Sequence, residues 1–411
     1  MRTICTYDEA YAIALSLAAP QGQTHQDVWA ASGTPTVLAD AVRAFVDLPP
    51  FHRAMMDGFA VHQDDLESTE ELLVIDDIHA GERSASVICP GTVVEIRTGA
   101  PVPPNTSAVV RKEWVEWTSE TSIRLLRQVA PGESIQLQGE DAKAGDVLLA
   151  RGAVVDGQTR TVLRAAGVRN IPVFAPVRVA IVSTGSELVT SATSTLGAGQ
   201  VYAASDAFLQ STLRQLGVIV TDVTYIDDHP ARIEHAVSKY VDAVDYILIT
   251  GGASVGDTDY ATSVIRKVSG SPSLPIERVW MRPGSPFLAA RAGSTTIFGM
   301  SGNPAACFVQ FHVLALPVIR KSLGMDAPLF ADHAVLAEPI RLKPVKHVRF
   351  HRATASLSKS QLSVLPQAGQ SSGLVTGLSN VNAIIRLDKQ VYERGEHVPV
   401  LLTKTANGRL F

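Results

Sequence analysis

The chain is poor in the residues that mark secreted or membrane-spanning proteins. Cysteine occurs three times in 411 residues, at Cys5, Cys89 and Cys307, far apart and outside any Cys-x-x-Cys pair. That excludes a disulfide framework and a thiolate zinc site, and it fits a reducing compartment, the cytoplasm. An excess of one charge is missing too: 36 Lys and Arg against 40 Asp and Glu leave a net charge of −4. With no run of five basic residues, there is no electrostatic footprint for a long nucleic acid or an anionic membrane. No apolar run approaches the roughly 20 residues of a membrane-spanning helix. What is plentiful is hydrophobic residue, 46% against 18% charged, the composition of a folded globular chain. At roughly 150 residues per domain the length makes two to four domains.

The apolar start does not read as a signal peptide. Asp8 and Glu9 stand where such a segment is basic, and Thr6-x-x-Glu9 is a capping box that opens a helix. Over residues 177–325 short apolar runs alternate with amphipathic stretches. Val177–Ser183, Val218–Ile226, Asp245–Thr250 and Thr295–Gly299 read as buried strands. Helices are expected at Phe208–Leu216, from Pro230 to Val244 on an i, i+3, i+4, i+7 pattern, and over Ala305–Leu323. Strands alternating with helices predict a doubly wound, mostly parallel α/β domain. The flanks, 51–140 and 327–411, carry short β-type runs between Gly, Pro and Ser turns and predict two smaller β-rich domains, with a helical linker near Thr159–Ala166.

Ligands of an open α/β sheet bind beyond the carboxyl ends of its strands. The polar motifs fall there: Ser183-Thr184-Gly185-Ser186-Glu187 after the first strand and Asp227-Asp228-His229-Pro230 after the second. Gly251-Gly252-Ala253-Ser254-Val255-Gly256-Asp257-Thr258-Asp259 follows the third, and Ser301-Gly302-Asn303-Pro304 the last. Gly-Gly-x-Ser-x-Gly admits close backbone approach to phosphate-like oxygens, and Asp257 and Asp259 suit a hard cation such as Mg²⁺. The plainer reading is that Gly-Gly ends a strand and the acids cap the next helix; four such loops on one rim favour a site. Glu187 and Asp228 read equally as solvated loop acids or as a shared acidic pocket. Arg282-Pro283-Gly284-Ser285-Pro286 offers a guanidinium on a stiff turn. Upstream, Pro49–Val61, Thr98-Gly99-Ala100-Pro101 and Gly139-Glu140-Asp141 read locally as turns only.

PPFxxxxMDGFAV, TGAPVP, GED, STGSEL, GGASVGDTDY, PGSP and SGNP, in this order along nearly the whole chain, resemble the molybdopterin molybdenumtransferase family, MoeA, which includes the gephyrin E domain. The resemblance implies an elongated cytoplasmic homodimer of four-domain subunits. Domain I would span 1–50 and 141–176, with part of 27–45 packing on domain III; domain II 51–140, domain III 177–326 and domain IV 327–411. The reaction implied is Mg²⁺-dependent: molybdate is inserted into adenylylated molybdopterin and AMP is released. The site would lie between domain III and the partner subunit's domain II.

By motif, the resemblance assigns catalysis to Asp57, Glu187, Asp228 and Asp259, with Asp228 and Asp259 as metal ligands. It assigns substrate binding to Thr98, Asp141, Ser183, Thr184, Gly185, Gly251, Gly252, Ser254, Gly256, Gly302 and Asn303. Molybdate would meet Arg282, Ser285, Pro286, Arg352 and Ser372. The motifs depart from the family's usual forms: Ser285 stands for a lysine, Ser186 for an acid and Ser301 for a proline, and Gln136 and Gln138 stand where Arg residues usually precede GED. A cation lost from an oxyanion site removes a charge-assisted hydrogen bond worth roughly 1.5–3 kcal/mol. Two rival readings share the α/β domain: a Mg²⁺-dependent nucleotide pyrophosphohydrolase and a non-catalytic molybdopterin-binding scaffold.

Overall fold

The computed structural model describes residues 4–20, 22–30, 36–82, 84–190, 195–252, 260–325, 328–358 and 360–404. The chain divides into two compact units, one of Met1–Thr24, Ser32–Ala39 and Val173–Phe411, the other of His25–Ala31 and Asp40–Pro172.

The first unit is built on an α/β alternation. In chain order it runs β1 (Arg178–Thr184), α1 (Ser205–Gln215), β2 (Ile219–Ile226), α2 (Pro230–Tyr240), β3 (Tyr246–Thr250), α3 (Tyr260–Ser269), β4 (Met281–Arg282), β5 (Leu288–Ala292), β6 (Thr295–Met300), α4 (Pro304–Gln310) and α5 (Leu316–Ser322). The central sheet has five strands in the order β2-β1-β3-β6-β5. Its first four run parallel, and β5 joins β6 antiparallel at the edge. Both faces are covered. Val179, Ile181 and Leu248 point into one apolar cluster with α1, and Ala180, Val182, Ile247 and Ile249 into another with α2 and α3. This is why β1 and β3 read as unbroken apolar runs rather than alternating ones. Pro230 in the first turn of α2 costs no hydrogen bond, because that N–H has no helical partner. The expected helix over Ala305–Leu323 is present but broken by a π-turn at Phe311–Ala315.

The chain then forms β7 (Asp332–Leu336), β8 (Val348–Ser358), β9 (Gln361–Pro366), β10 (Ala383–Leu387) and β11 (His397–Leu402). They lie in the order β4-β8-β9-β7-β11-β10, and a further β8–β10 pairing closes them into a barrel. Ala334, Ala353, Val364, Ile385 and Val398 fill it. Two-residue β4 is added to the edge of β8.

The second unit carries a six-stranded sheet. Its members Gly58–Val61, Thr92–Ile96 and Ala108–Arg111 lie side by side around Phe59, Val93 and Val110. The helix Gly157–Ala165 opens on a capping box between Asp156 and Thr159. Among the described residues no helix is long and apolar enough to cross a membrane.

Candidate active site

The carboxyl ends of β1, β3 and β6 line up because Ser183 is in register with Thr250, and Thr250 with Met300. Their end residues open a cleft of about 350 Å³. Ser183, Thr184 and Thr250 are buried at its floor. The Thr250 hydroxyl donates to Ser183 Oγ at 3.1 Å and the Thr184 hydroxyl to the Thr250 carbonyl at 3.3 Å. The chain can leave β3 only through glycine: Gly251 has φ +94°, and a Cβ there would lie 2.2 Å from the Thr184 carbonyl oxygen. Next to it α4 begins, capped by Asn303, whose Oδ1 accepts from the Ala305 N–H at 3.3 Å. A helix N-terminus at the cleft mouth favours anionic ligand groups.

The facing wall is the start of α1. Asp206 is nearly buried, and its carboxylate accepts from the Tyr225 hydroxyl at 2.9 Å and from Gln210 Nε2 at 3.2 Å. Burial first, then the Asp206 bond and charge, push the Tyr225 phenol up to about 12, so it remains a donor. Sequence reasoning missed this pair: an acid in the first turn of a helix reads as an ordinary cap. Glu187 lines the same cleft and is exposed. Asp228 is anchored beside it. Its backbone N–H donates to Ser186 Oγ at 3.0 Å, and the Ser186 N–H donates back to its carboxylate at 3.4 Å. Ser186 thus braces the Asp228 turn. Two exposed carboxylates at adjacent strand ends are hard-oxygen donors of the class Mg²⁺ uses while keeping several waters. Among the described residues no three His, Cys, Asp or Glu side chains converge on one metal position. Ser254, Gly256 and Asp259 lie outside the described residues.

The Arg282–Pro286 turn is fastened to this rim by one side chain. Gln310, wholly buried in α4, accepts from the Ser301 N–H at 2.8 Å and donates to the carbonyls of Gly284 at 2.9 Å and Pro286 at 2.6 Å. Its signal in the sequence is one amide in the otherwise apolar run 305–311. Ser285 donates its hydroxyl to the Val279 carbonyl at 2.9 Å, while the Val279 N–H donates to the Ser285 carbonyl, also at 2.9 Å. In this arrangement Ser285 braces its own turn, and its hydroxyl hydrogen is already committed. Arg282 is exposed, with no carboxylate pairing it among the described residues.

The structure places Arg352 inside the protein. It is 1% exposed, and its guanidinium donates to the carbonyls of Leu374 at 3.0 Å, Gly369 at 2.9 Å and Ser371 at 3.0 Å. The reason is strand alternation: Arg352 shares a face of β8 with buried Phe350. It therefore shapes the loop that carries Ser372, and whose Gly373 and Val375 line the cleft.

In the second unit the structure joins two remote turns. Asp57 Oδ1 accepts from both the hydroxyl of Thr98, at 2.7 Å, and its backbone N–H, at 2.8 Å. Those bonds, the hydroxyl first, hold the Asp57 carboxyl below the ordinary carboxylate range. Asp141 is exposed on a separate turn fixed by its N–H to the Leu48 carbonyl at 2.9 Å. Gln136 accepts from Arg53 Nε at 2.8 Å and Gln138 donates to the Asp47 carboxylate at 2.8 Å, so both amides are held by neighbouring side chains.

Three family descriptions match successive parts of the chain: the MoeA N-terminal region (domain I and II) over residues 5–167, the probable molybdopterin binding domain over 180–321, and the MoeA C-terminal region (domain IV) over 333–403. A molybdopterin molybdenumtransferase of Bacillus subtilis is 32% identical over 385 residues, 90% of this chain and 88% of that protein. One from Staphylococcus epidermidis is 30% identical over 379 residues, 90% of this chain and 89% of that protein. The chain belongs to the molybdopterin molybdenumtransferase family. A molybdopterin biosynthesis MoeA protein from Pyrococcus horikoshii OT3 has the same fold, with a TM-score of 0.80 at 26% identity, covering 97% of this chain and 100% of that one. The family is one of transferases in molybdenum-cofactor biosynthesis, and its α/β and β-rich domains, with a closed barrel, are those described above.

Of the residues the MoeA motifs single out, Ser183, Thr184, Glu187, Gly302 and Asn303 share one cleft with Thr250, which the motifs did not mark, and Gly251 turns the chain at its edge. Gly185 carries the turn from Thr184 to Glu187, Gly252 continues from Gly251, and Pro286 lies on the turn held by Gln310.

Proposed function

We propose that this chain catalyses Mg²⁺-dependent transfer of molybdenum from molybdate to adenylylated molybdopterin, with release of AMP. The observation that carries the reading is the buried Gln310 bridge, which fixes an exposed arginine turn to the rim of a hydroxyl-lined cleft at a helix N-terminus. A tethered cation and a phosphate-suited cleft are what a reaction between an oxyanion and a phosphoanhydride-bearing pterin requires.

In this reading Ser183, Thr184 and Thr250 orient the pterin, and the mouth of α4 holds its phosphate oxygens. Asp228 and Glu187, with Asp259, would hold Mg²⁺, which when bound neutralises charge on the phosphoanhydride. Arg282 orients molybdate for the dithiolene: two Mo–S bonds form, and one oxide leaves as water with the two thiol protons, while a water adds to phosphorus as the phosphoanhydride P–O bond breaks, freeing AMP and the pterin phosphate. Asp57, kept ionised by Thr98, is too weak a base to shuttle protons at neutral pH and acts as a fixed acceptor that aligns substrate. The enzyme would work in the cytoplasm, consistent with its free cysteines. It would act as a homodimer in which the Asp57–Thr98 turn of one subunit completes the site of the other; this accounts for site-type motifs so far in sequence from the sheet.

The test is single-turnover AMP release from adenylylated molybdopterin with Mg²⁺, with and without molybdate, and with tungstate as a second oxyanion. Molybdate-stimulated release is expected. Binding without release would make the chain a scaffold, and nucleotide hydrolysis indifferent to molybdate would make it a pyrophosphohydrolase.

A further inference from the structure

With Ser285 committed to its own turn, the Arg282–Pro286 turn itself offers one cation to a doubly charged oxyanion. The strand register supplies a second cation. β4 pairs parallel with β8 so that Met281 faces Val348 and Arg282 faces Arg349. Register partners on neighbouring strands project from the same face, with backbones about 4.8 Å apart. Arg349 lies on the opposite face of β8 from Arg352, so alternation alone decides which of the two arginines can meet Arg282. One Arg349 nitrogen donates to the Lys343 carbonyl at 2.6 Å, which fixes the side chain and leaves its other donors unassigned. Among the described residues no carboxylate pairs with Arg278, Arg282 or Arg349, although arginines held this close ordinarily recruit one.

The neighbours register the same field. His347, its ring 4.8 Å from that of Trp280, has a buried Nδ1 with no partner. Burial first, and then the charges of Arg282, Arg278 and Arg349, push its imidazole below the ordinary range. Burial and then Arg282 do the same to the Arg349 guanidinium. Two uncompensated guanidiniums on one rung repel each other until an anion sits between them.

We propose that Arg349 is the second cation of the oxyanion pocket in this chain, supplying with Arg282 the paired contact to a tetrahedral dianion that Ser285 does not make. The proposal rests on the molybdate-transfer reading above. The sequence signal was present in the cation-rich stretch Lys346-His347-Val348-Arg349, where only the pairing partner of Arg349 was missing.

The experiment is calorimetric titration of the full chain with sodium molybdate, and separately with molybdopterin, for wild type, Arg349→Gln, Arg349→Lys, Arg282→Gln and the double variant Arg349→Gln/Ser285→Lys. Loss of one charge-assisted contact should raise the molybdate Kd of Arg349→Gln roughly ten- to hundred-fold. Molybdopterin affinity should stay unchanged, and a lysine at either 349 or 285 should restore most of the loss. Unchanged molybdate binding in Arg349→Gln, with weakening in Arg282→Gln, would overturn the role of Arg349 and leave the molybdate-transfer reading standing. Loss of molybdopterin binding together with molybdate binding would also overturn it, because the residue would then be structural. A wild-type chain that neither binds molybdate nor releases AMP in its presence would overturn both.

Discussion

Gln310→Leu is the substitution that separates a packed helix from a wired one. Leucine has nearly the volume of glutamine and suits the apolar surroundings of α4, so the change leaves little cavity. What it removes is three hydrogen bonds, to the Ser301 N–H and the carbonyls of Gly284 and Pro286. Each deserted backbone group costs about 1–3 kcal/mol when it stays buried. Water reaches the half-exposed turns at Ser301 and Gly284 more readily than the interior, so the low end applies and the sum is about 3–4 kcal/mol. Urea unfolding followed by circular dichroism should show that loss as a lower midpoint with an unchanged slope. The turns should also drift apart: KM for molybdate should rise about ten-fold or more, while the affinity for molybdopterin alone changes less. A stability loss below about 1 kcal/mol, or a KM for molybdate that does not move, would refute the claim that this glutamine couples the two turns.

Thr98→Val removes the hydroxyl that contributes most to holding the Asp57 carboxyl ionised. A lowered carboxyl keeps its charge until the pH falls through its folded value, so the variant should lose that charge at higher pH; the acid limb of kcat/KM should shift upward, and carboxyl NMR titration should show the same move. His312 is buried, and burial pushes its pKa down to about 4. The unfolded chain protonates near 6.5, so stability is full above that value and falls by about 3 kcal/mol as pH drops from about 6.5 to 4. His312→Gln should flatten this part of the stability curve, measured by urea midpoints across pH. Arg352→Met should free the carbonyls of Gly369, Ser371 and Leu374 and speed amide hydrogen exchange across 369–375. Because Gly373 and Val375 line the cleft, molybdopterin affinity should fall in the same variant; unchanged exchange there would contradict the bracing role.

Much of the α/β frame was legible because buried parallel strands and one-sided helices leave opposite imprints. Val179–Val182 and Ile247–Ile249 are apolar on both faces, while Ile233, Val237 and Tyr240 repeat at helical spacing. Edge strand β5 was not legible: Leu288-Ala289-Ala290-Arg291-Ala292 has no β-branched residue, and its pairing with β6 is imposed by the sheet. Barrel closure was hidden for a related reason, since it depends on which strands meet across long separations. The rim motifs announced themselves through glycine and proline at strand ends. Asp206, Gln310 and Arg349 did not, because each gains its role from a partner fixed only by tertiary register. The burial of Arg352 was not legible either: a motif locates a residue along a strand, but only the packing of both faces decides where its side chain goes.

The rung between Arg282 and Arg349 has a consequence for how the molecule must be made. Its two residues are contributed by segments separated by β5, β6, α4, α5 and β7, so the rung closes only after β8 has docked onto β4. Contacts of such long sequence separation carry the largest loop-closure cost and tend to form late. A barrel excised as a fragment would keep Arg349 but lose the neighbour that gives it meaning. A chain whose folding stalled before docking would present Arg282 without its register partner. If Arg282 and Arg349 share the oxyanion as proposed above, competence for it belongs to the docked fold and not to either segment alone.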